Sequence, residues 1–468
     1  MTTAPARPAP VQFPPHIGGC LKPAIAHAQA GRLGLALECV AAAAVADIQH
    51  HQQTFLSDAS RAALLCDLYA ELFSMAGITP HAALAGAAIA PSQPLRLLYI
   101  VSSLVDGQAA SANIARLCQL HHPARFDPHI LCVEEFTQRR PALGFLKYPD
   151  APSARVGAKV IASLPSGSLT LLEPTGDLLA GAREAIAAAR SLRPQIAVFV
   201  GSPACPVQAA CAFARVAPRQ INMNIGVPLP VRGIDHIVYN SPRRQAQDQP
   251  HLAPRNIASS SVETSGGDAR AGLAAIPEPR GPLGVPADAL LLVSAGNRLP
   301  QRMLAGSFAS DLAAFLASRP DVWWVGVGPG DFTDVLRLLG PRAVAAGPRA
   351  DIRGVVKAAD IYLNEYPEGG GNTIIEAMGC ATPVVAGDFG LRHAQHIGAA
   401  LSDHTSITSC DAYWREVERL AANPVAREAL GQRQQRRALE SLDYHVIALA
   451  YEREFVPAAA AARAAIPA

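Results

Sequence analysis

Asp360-Ile361-Tyr362-Leu363-Asn364 is followed by Glu368-Gly369-Gly370-Gly371-Asn372-Thr373-Ile374-Ile375-Glu376-Ala377-Met378-Gly379-Cys380-Ala381-Thr382-Pro383-Val384-Val385-Ala386. This text reads as a buried strand, a glycine loop, a helix beginning near Asn372, and a second strand over Pro383–Val385. Three consecutive glycines let a backbone approach a ligand closely and adopt positive φ. The helix then points its free amide N–H groups at the same place, which suits a phosphate or a polar sugar. Two carboxylates bracket the loop. Glu368 precedes the glycines, and Glu376, with seven residues between the two, lies inside the helix. Carboxylates accept hydrogen bonds from paired hydroxyls, which sugars and ribose both present.

Working outward, the same alternation of strand and helix recurs. Upstream lie a strand over Leu290–Ala295, a helix over Leu304–Arg319, a strand over Val322–Val327, a helix over Thr333–Leu339 and strands over Arg342–Ala345 and Ile361–Leu363. Helices over Thr408–Ala421, Pro424–Ser441 and Asp443–Glu454 close the series. An earlier series has strands over Leu95–Val101, His129–Val133, Ile196–Val200, Gln220–Ile225 and Ile234–Tyr239, with further short apolar runs at Lys159–Leu164 and Leu169–Leu172. Its helices span Ala109–Leu120, Gly176–Leu192 and Val207–Val216. The pattern predicts an α/β protein with two doubly wound Rossmann-like domains, preceded by a small helical domain.

The expected boundaries are a proline-rich, disordered leader over 1–19, a helical domain over 20–92, an N-terminal Rossmann-like domain over 93–245, an interdomain connection over 246–288, a C-terminal Rossmann-like domain with its closing helices over 289–455, and an Ala-rich tail over 456–468. Within the helical domain, helices are expected over Ala24–Gly31, Leu33–Gln49, Ser57–Ala76 and His81–Ala90, with Asp58 and Arg61 opening the third. Ala28-Gln29-Ala30-Gly31-Arg32-Leu33, followed by Ala36-Leu37, is faintly similar to a tetratricopeptide hairpin. A single copy is fewer than the roughly three that a stack needs, and an ordinary helical cap on the next domain fits equally. Two such α/β units place a ligand cleft between the carboxyl ends of their strands.

Composition narrows the classes. The 40 basic and 38 acidic residues nearly cancel, whereas nucleic-acid binding needs a cationic surplus, so nucleic acid is not an expected partner. Half the residues are hydrophobic, yet none of the runs reaches the ~18 apolar residues of a spanning helix. The best stretch, Val40–Ile48, contains Asp47. No transmembrane segment is expected, and peripheral membrane contact stays open. The amino terminus lacks a basic segment followed by an apolar one, so a cytoplasmic location is expected. The nine cysteines are scattered, odd in number and without two-residue spacing, which suits buried thiols in a reducing compartment. No Asp-x-Asp or His/Asp cluster suggests a metal site, and His121, His122, His129 and His236 read as structural or solvated.

Glu, seven residues, Glu, Ala-Met, and then Thr-Pro-Val-Val together resemble the donor-binding motif of the GT-B retaining glycosyltransferases of the group 1 type. The resemblance spans most of 95–455 in layout and is sharp over 290–390. Trp323-Trp324-Val325-Gly326-Val327-Gly328-Pro329-Gly330 is similar to the family's strand ending in Gly-x-Gly. Ala295-Gly296-Asn297-Arg298-Leu299-Pro300-Gln301-Arg302 resembles the loop where the family holds a diphosphate with an Arg and then a Lys. Here Arg298 and Arg302 stand in those places, and arginine grips phosphate oxygens bidentately.

The resemblance implies transfer of a sugar from a nucleotide-diphosphate donor to a hydroxyl acceptor, with retention, without a metal, and with the nucleotide sugar as substrate in place of any cofactor. It assigns Glu376 to the ribose hydroxyls and Glu368 to the sugar hydroxyls near the anomeric carbon. Glu368 and Arg298 are the catalytic candidates. Gly296, Arg298, Arg302, Gly369, Gly370, Gly371, Asn372 and Thr373 would line the sugar and diphosphate site, and Gly347 and Arg349 are candidates for the base. A front-face displacement and a covalent double displacement both fit.

The first α/β domain departs from the family pattern. Ser102-Ser103-Leu104-Val105-Asp106-Gly107 has one glycine where two are common, and Gly201-Ser202-Pro203 stands where a His often does. Gly107 and Ser202 remain acceptor-side candidates, Ser202 equally a helix cap. Ala217–Pro228 and Gly233–Val238 are similar to a segment of transferases that glycosylate proteins, which also carry a helical domain. Saccharide, lipid-linked and protein acceptors all fit. The alternatives are a GT-B hexosamine-nucleotide epimerase and a catalytically weak sugar-nucleotide-binding scaffold.

Overall fold

The computed structural model describes residues 13–49, 55–85, 87, 89, 94–106, 109–133, 157–173, 177–224, 226–262, 266–367, 369–389 and 407–456. Strands of continuous apolar sequence pair in parallel and are buried on both faces, as parallel sheets require. β1 (Leu95–Val101), β2 (Phe126–Cys132), β3 (Leu169–Leu171), β4 (Ile196–Val200), β5 (Arg219–Met223), β6 (His236–Tyr239) and β7 (Ala258–Ser261) form one sheet in the order β3-β2-β1-β4-β5-β6-β7. β8 (Leu290–Ala295), β9 (Val322–Val327), β10 (Ala343–Gly347), β11 (Ile361–Leu363) and β12 (Val384–Val385) form a second, in the order β10-β9-β8-β11-β12. Every pairing in both sheets is parallel. The two-domain α/β expectation is met.

The expected leader is corrected at its end. A helix over Pro15–Gln29 begins with Pro at its first position, where the missing N–H costs nothing, and Ile17 is fully buried. Residues 1–12 lie outside the described residues. The helices Leu33–Gln49 and Ala59–Met75 follow, the latter capped by Asp58, whose carboxylate accepts from Ser60 N at 2.9 Å. In place of a helix over His81–Ala90 the described residues show one short turn, Ala82–Leu84, and His81 N donates to Ala214 O at 2.9 Å. These helices have no core of their own. Leu37, Val40, Tyr69 and Phe73 share one apolar cluster with Ile186, Ala210 and Phe213 of the first α/β unit. The segment is therefore an outer helical layer of that unit.

One unassigned run gains an element, and two further readings change. The Lys159–Leu164 run is a helix over Ala158–Ser163, because Asp106 accepts from Lys159 N at 3.2 Å and Val160 N at 2.9 Å and so starts it. The expected connection over 246–288 contains most of a helix, Pro242–Leu252, and the edge strand β7, both part of the first unit. Ala-Ser-Ser-Ser carries no apolar signal, and only its pairing with β6 makes it a strand. The last helix, Tyr444–Phe455, was expected with the second unit. It instead returns to the first, where Ile447, Tyr451 and Phe455 pack with Leu97, Tyr99 and Phe126. The chain thus crosses between units twice. Among the described residues no helix is long and apolar enough to cross a membrane. The nine cysteines are free thiols, and burial pushes those of Cys66 and Cys118 well up.

Candidate active site

In an open α/β sheet a ligand sits at the carboxyl ends of the strands where the strand order reverses. In the second sheet that point falls between β8 and β11. The chain leaves β8 through Gly296 and Arg298 to Arg302, and leaves β11 through Asn364 to the triple glycine, so the two loops lie side by side. The buried Tyr362 hydroxyl fixes their spacing, donating to Ala295 O at 3.1 Å and accepting from Ala295 N at 3.3 Å. Gly328, after β9, has φ +151°, and a Cβ there would run into the Gly296 carbonyl.

The elbow is held from below. The buried Asn364 accepts from Gly370 N at 2.9 Å through Oδ1. A Cβ on Gly369 would overlap the Asn364 amide, and one on Gly370 would overlap the Thr373 hydroxyl. Positive φ, expected of these glycines, is adopted by none of them, and Gly371 has φ −86°. Gly369 and Gly370 are there for space. The helix Asn372–Gly379 starts with no side-chain cap, so its first N–H groups remain for a ligand.

Arg302 reaches this elbow. A Cβ on Gly370 would lie 3.6 Å from its Nη2, and one on Gly296 would run into it. The same Nη2 is ion-paired with Glu365 Oε1, whose side chain is fully buried. Sequence reading missed Glu365, because the Glu-x7-Glu spacing drew attention to its neighbour and only the sheet order sets it against Arg302. Arg298 is exposed, immediately before the helix Leu299–Leu304. Glu368 and Gly107 lie outside the described residues.

The Asn372 side chain is engaged by the first unit and the returning helix. Its Nδ2 donates to Asn113 Oδ1 at 2.8 Å and to the Tyr444 hydroxyl at 3.3 Å, and that hydroxyl donates to Asn113 Oδ1 at 2.5 Å. Asn113 belongs to the first unit and Tyr444 to the returning helix, so this triad ties the donor helix to the opposite wall of the cleft. Neither partner stood out in the sequence.

Glu376 is partly buried on the flank of the same helix, near Arg353, Asp351 and Asp268. Asp351 and Arg353 follow Gly347 and Arg349 in the chain, so the loop after the strand Ala343–Gly347 comes close to Glu376. Gly347 has φ +68° and accepts from Gly328 N at 3.0 Å, while Arg349 pairs with Glu278 at 3.2 Å. Burial first, then Asp351 and Asp268, pushes the Glu376 carboxyl up to about 7 against the opposing charge of Arg353. A carboxylate must be ionised to accept from both hydroxyls of a diol. Nucleotide affinity is therefore expected to rise as pH increases through about 7, and Glu376→Gln should flatten that dependence in calorimetric titrations. Stability moves the other way. The folded carboxyl binds its proton more tightly than the unfolded one, so its contribution is full below 4.5 and is lost as pH rises through about 7.

On the facing unit the strand order reverses between β1 and β4. Gln208 Nε2 donates to Ser102 Oγ at 2.7 Å, joining the two loops there. The Ser202 hydroxyl accepts from Ala204 N at 3.2 Å and so serves the turn into the helix Pro206–Ala214. Tyr69 of the helical layer donates to Pro203 O at 2.7 Å. The 217–238 stretch supports this same edge, with Arg215 donating to both Asp235 oxygens at 3.0 and 2.9 Å and Asn222 Nδ2 to Gly201 O at 3.1 Å.

Two doubly wound units facing one another across such a cleft define the GT-B fold, and the comparisons agree. Residues 293–423 match the family model described as glycosyl transferases group 1, so that stretch is similar to this family. A mutant O-GlcNAc transferase from Thermobaculum terrenum is similar in structure at 16% identity and TM-score 0.56, covering 96% of this chain and 86% of its own. HepE from Anabaena, solved with UDP and glucose, gives 16% identity and TM-score 0.55 over 77% of this chain and 99% of its own. Sucrose-phosphate synthase from Thermosynechococcus elongatus gives 15% and 0.54 over 77% and 98%. At these identities the likeness is one of fold. No curated protein matches by sequence.

Proposed function

We propose that this protein is a retaining, metal-independent glycosyltransferase that takes a nucleotide-diphosphate sugar at the carboxyl ends of β8 and β11 and passes the sugar to a hydroxyl acceptor across the cleft. One observation carries the reading. A mostly buried guanidinium, a helix start with no side-chain cap and a glycine elbow with no room for a side chain at Gly369 or Gly370 meet at the reversal point of the second sheet. Negative charge grows on the departing diphosphate, and fixed cations and N–H dipoles aimed there lower the barrier. Arg302 and the amides of Asn372 and Thr373 take that role, with Arg298 closing from the exposed side. Glu376 accepts from the ribose hydroxyls, and Glu368 orients the transferred sugar.

HepE, similar in fold, was solved with UDP and glucose, which makes UDP-sugars the first donors to try. The helical layer lies along the acceptor-side loop through Tyr69 and Pro203, and the Thermobaculum O-GlcNAc transferase is matched over nearly the whole chain, helical layer included. A protein hydroxyl is therefore the acceptor to test before saccharide or lipid-linked ones. Nine free thiols suit a cytoplasmic setting.

The test is a thermal-shift screen with UDP-, GDP- and ADP-sugars. A ligand at about 100 times its dissociation constant should stabilise by about 2.7 kcal/mol. Glu376→Ala and Arg298→Ala should abolish most of that shift. Full retention in both variants refutes the site. Incubation with donor alone separates the rivals, since an epimerase converts donor without acceptor and a scaffold binds it unchanged.

A further inference from the structure

The ion pair beneath the elbow was not part of the expected site, and its geometry gives it a task. Glu365 follows β11 by two positions and is fully buried, while Arg302 lies in the last turn of the short helix after β8 with only 15% of its side chain exposed. The two therefore join across the reversal point of the sheet. A guanidinium beside a fully buried carboxylate is held there by their mutual attraction at low dielectric, so the ion pair biases Arg302 toward this position. The guanidinium carries five N–H donors in a rigid fork, and Glu365 engages it at Nη2. Its Nε–H has no acceptor among the described residues.

We propose that Glu365 is a positioning residue whose buried carboxylate holds the Arg302 fork against the glycine elbow, leaving the remaining N–H groups to meet the donor's distal phosphate. The proposal rests on the glycosyltransferase reading above. The phosphate in question is the distal one because Glu376, the ribose carboxylate, lies within the helix, while Arg302 lies beside Gly370, beyond the helix start. Arginine has a long, freely rotating side chain, and fixing it before the ligand arrives removes an ordering cost from binding. Glu365 itself touches no ligand in this arrangement.

The experiment compares UDP with UMP by calorimetric titration of the full chain, wild type against Glu365→Gln. Gln retains the shape and removes the charge. UDP affinity should fall about tenfold, in line with the loss of other orienting partners, while UMP affinity stays within about twofold. Glu365→Asp, with the charge restored at shorter reach, should recover part of the UDP affinity, and it carries the comparison if Glu365→Gln does not fold. Equal losses for UDP and UMP would assign Glu365 a purely structural role and overturn the proposal. So would unchanged UDP binding, or tighter binding, which would make the carboxylate a competitor of the phosphate. A wild type that binds none of UDP, GDP or ADP overturns the functional reading itself, a separate outcome.

Discussion

Arg302→Ala should unfold in urea with a loss of about 3–5 kcal/mol relative to wild type, because it takes the guanidinium away from the fully buried Glu365 carboxylate. That is a large part of a typical folding stability of roughly 5–15 kcal/mol. The same variant should show no donor-induced thermal shift. A double replacement, Arg302→Met with Glu365→Leu, separates the two effects. Replacing both ions by apolar side chains of similar size is often neutral, so stability should return while the donor shift remains absent. A double variant that regains the shift would show that the guanidinium plays no part in holding the donor. A single variant as stable as wild type would show that Glu365 finds other support.

The second large effect concerns the returning helix. Glu452 is buried and takes three contacts from the first unit: His121 Nδ1 at 3.2 Å, His122 N at 2.9 Å and Arg125 Nη1 at 3.0 Å. Burial alone would raise its pKa. The hydrogen bonds from His121 and the His122 backbone, with the charge of Arg125, outweigh burial and hold the carboxyl below the ordinary range. Glu452→Ala should cost about 3 kcal/mol at neutral pH, since it breaks a buried, charge-assisted network. The sign with pH follows from the lowered pKa. Wild-type stability from this group is present above the unfolded carboxylate value of 4.5 and is lost as pH falls through the lower folded value. The gap between wild type and variant, measured by urea titration at stepped pH, should therefore narrow only on the acid side of 4.5. A gap that stays constant into acid would mean that apolar packing of Tyr451 and Phe455, rather than the carboxylate, holds the helix.

Legibility followed burial. Leu95–Val101, Ile196–Val200, Leu290–Ala295 and Val322–Val327 have the bounds their apolar runs predict, because a strand buried on both faces must be apolar throughout. β7 was hidden, since an edge strand of Ala-Ser-Ser-Ser takes its identity from the neighbour it pairs with. The donor loop was legible as glycines bracketed by acids, yet the reason for the glycines was misjudged. The Asn364 amide and the Thr373 hydroxyl set that reason, and neither contact is local in pattern. Arg302 was found through its loop, whereas Glu365, Asn113 and Tyr444 were not. Each of those three acts on a residue from another element, and a sequence read along one strand or one helix holds no record of such partners.

By itself the sequence determined the fold class, the order of most strands and helices, and the place of the glycine loop between a strand and a helix, because hydrophobic period and glycine content act over a few neighbouring residues. Tertiary structure alone decided that the amino-terminal helices share the first unit's core, that the last helix returns across the cleft, and that a buried acid backs the key arginine. Those outcomes depend on which surfaces meet after the sheets have formed, and burial energy and charge pairing settle that between residues far apart in the chain.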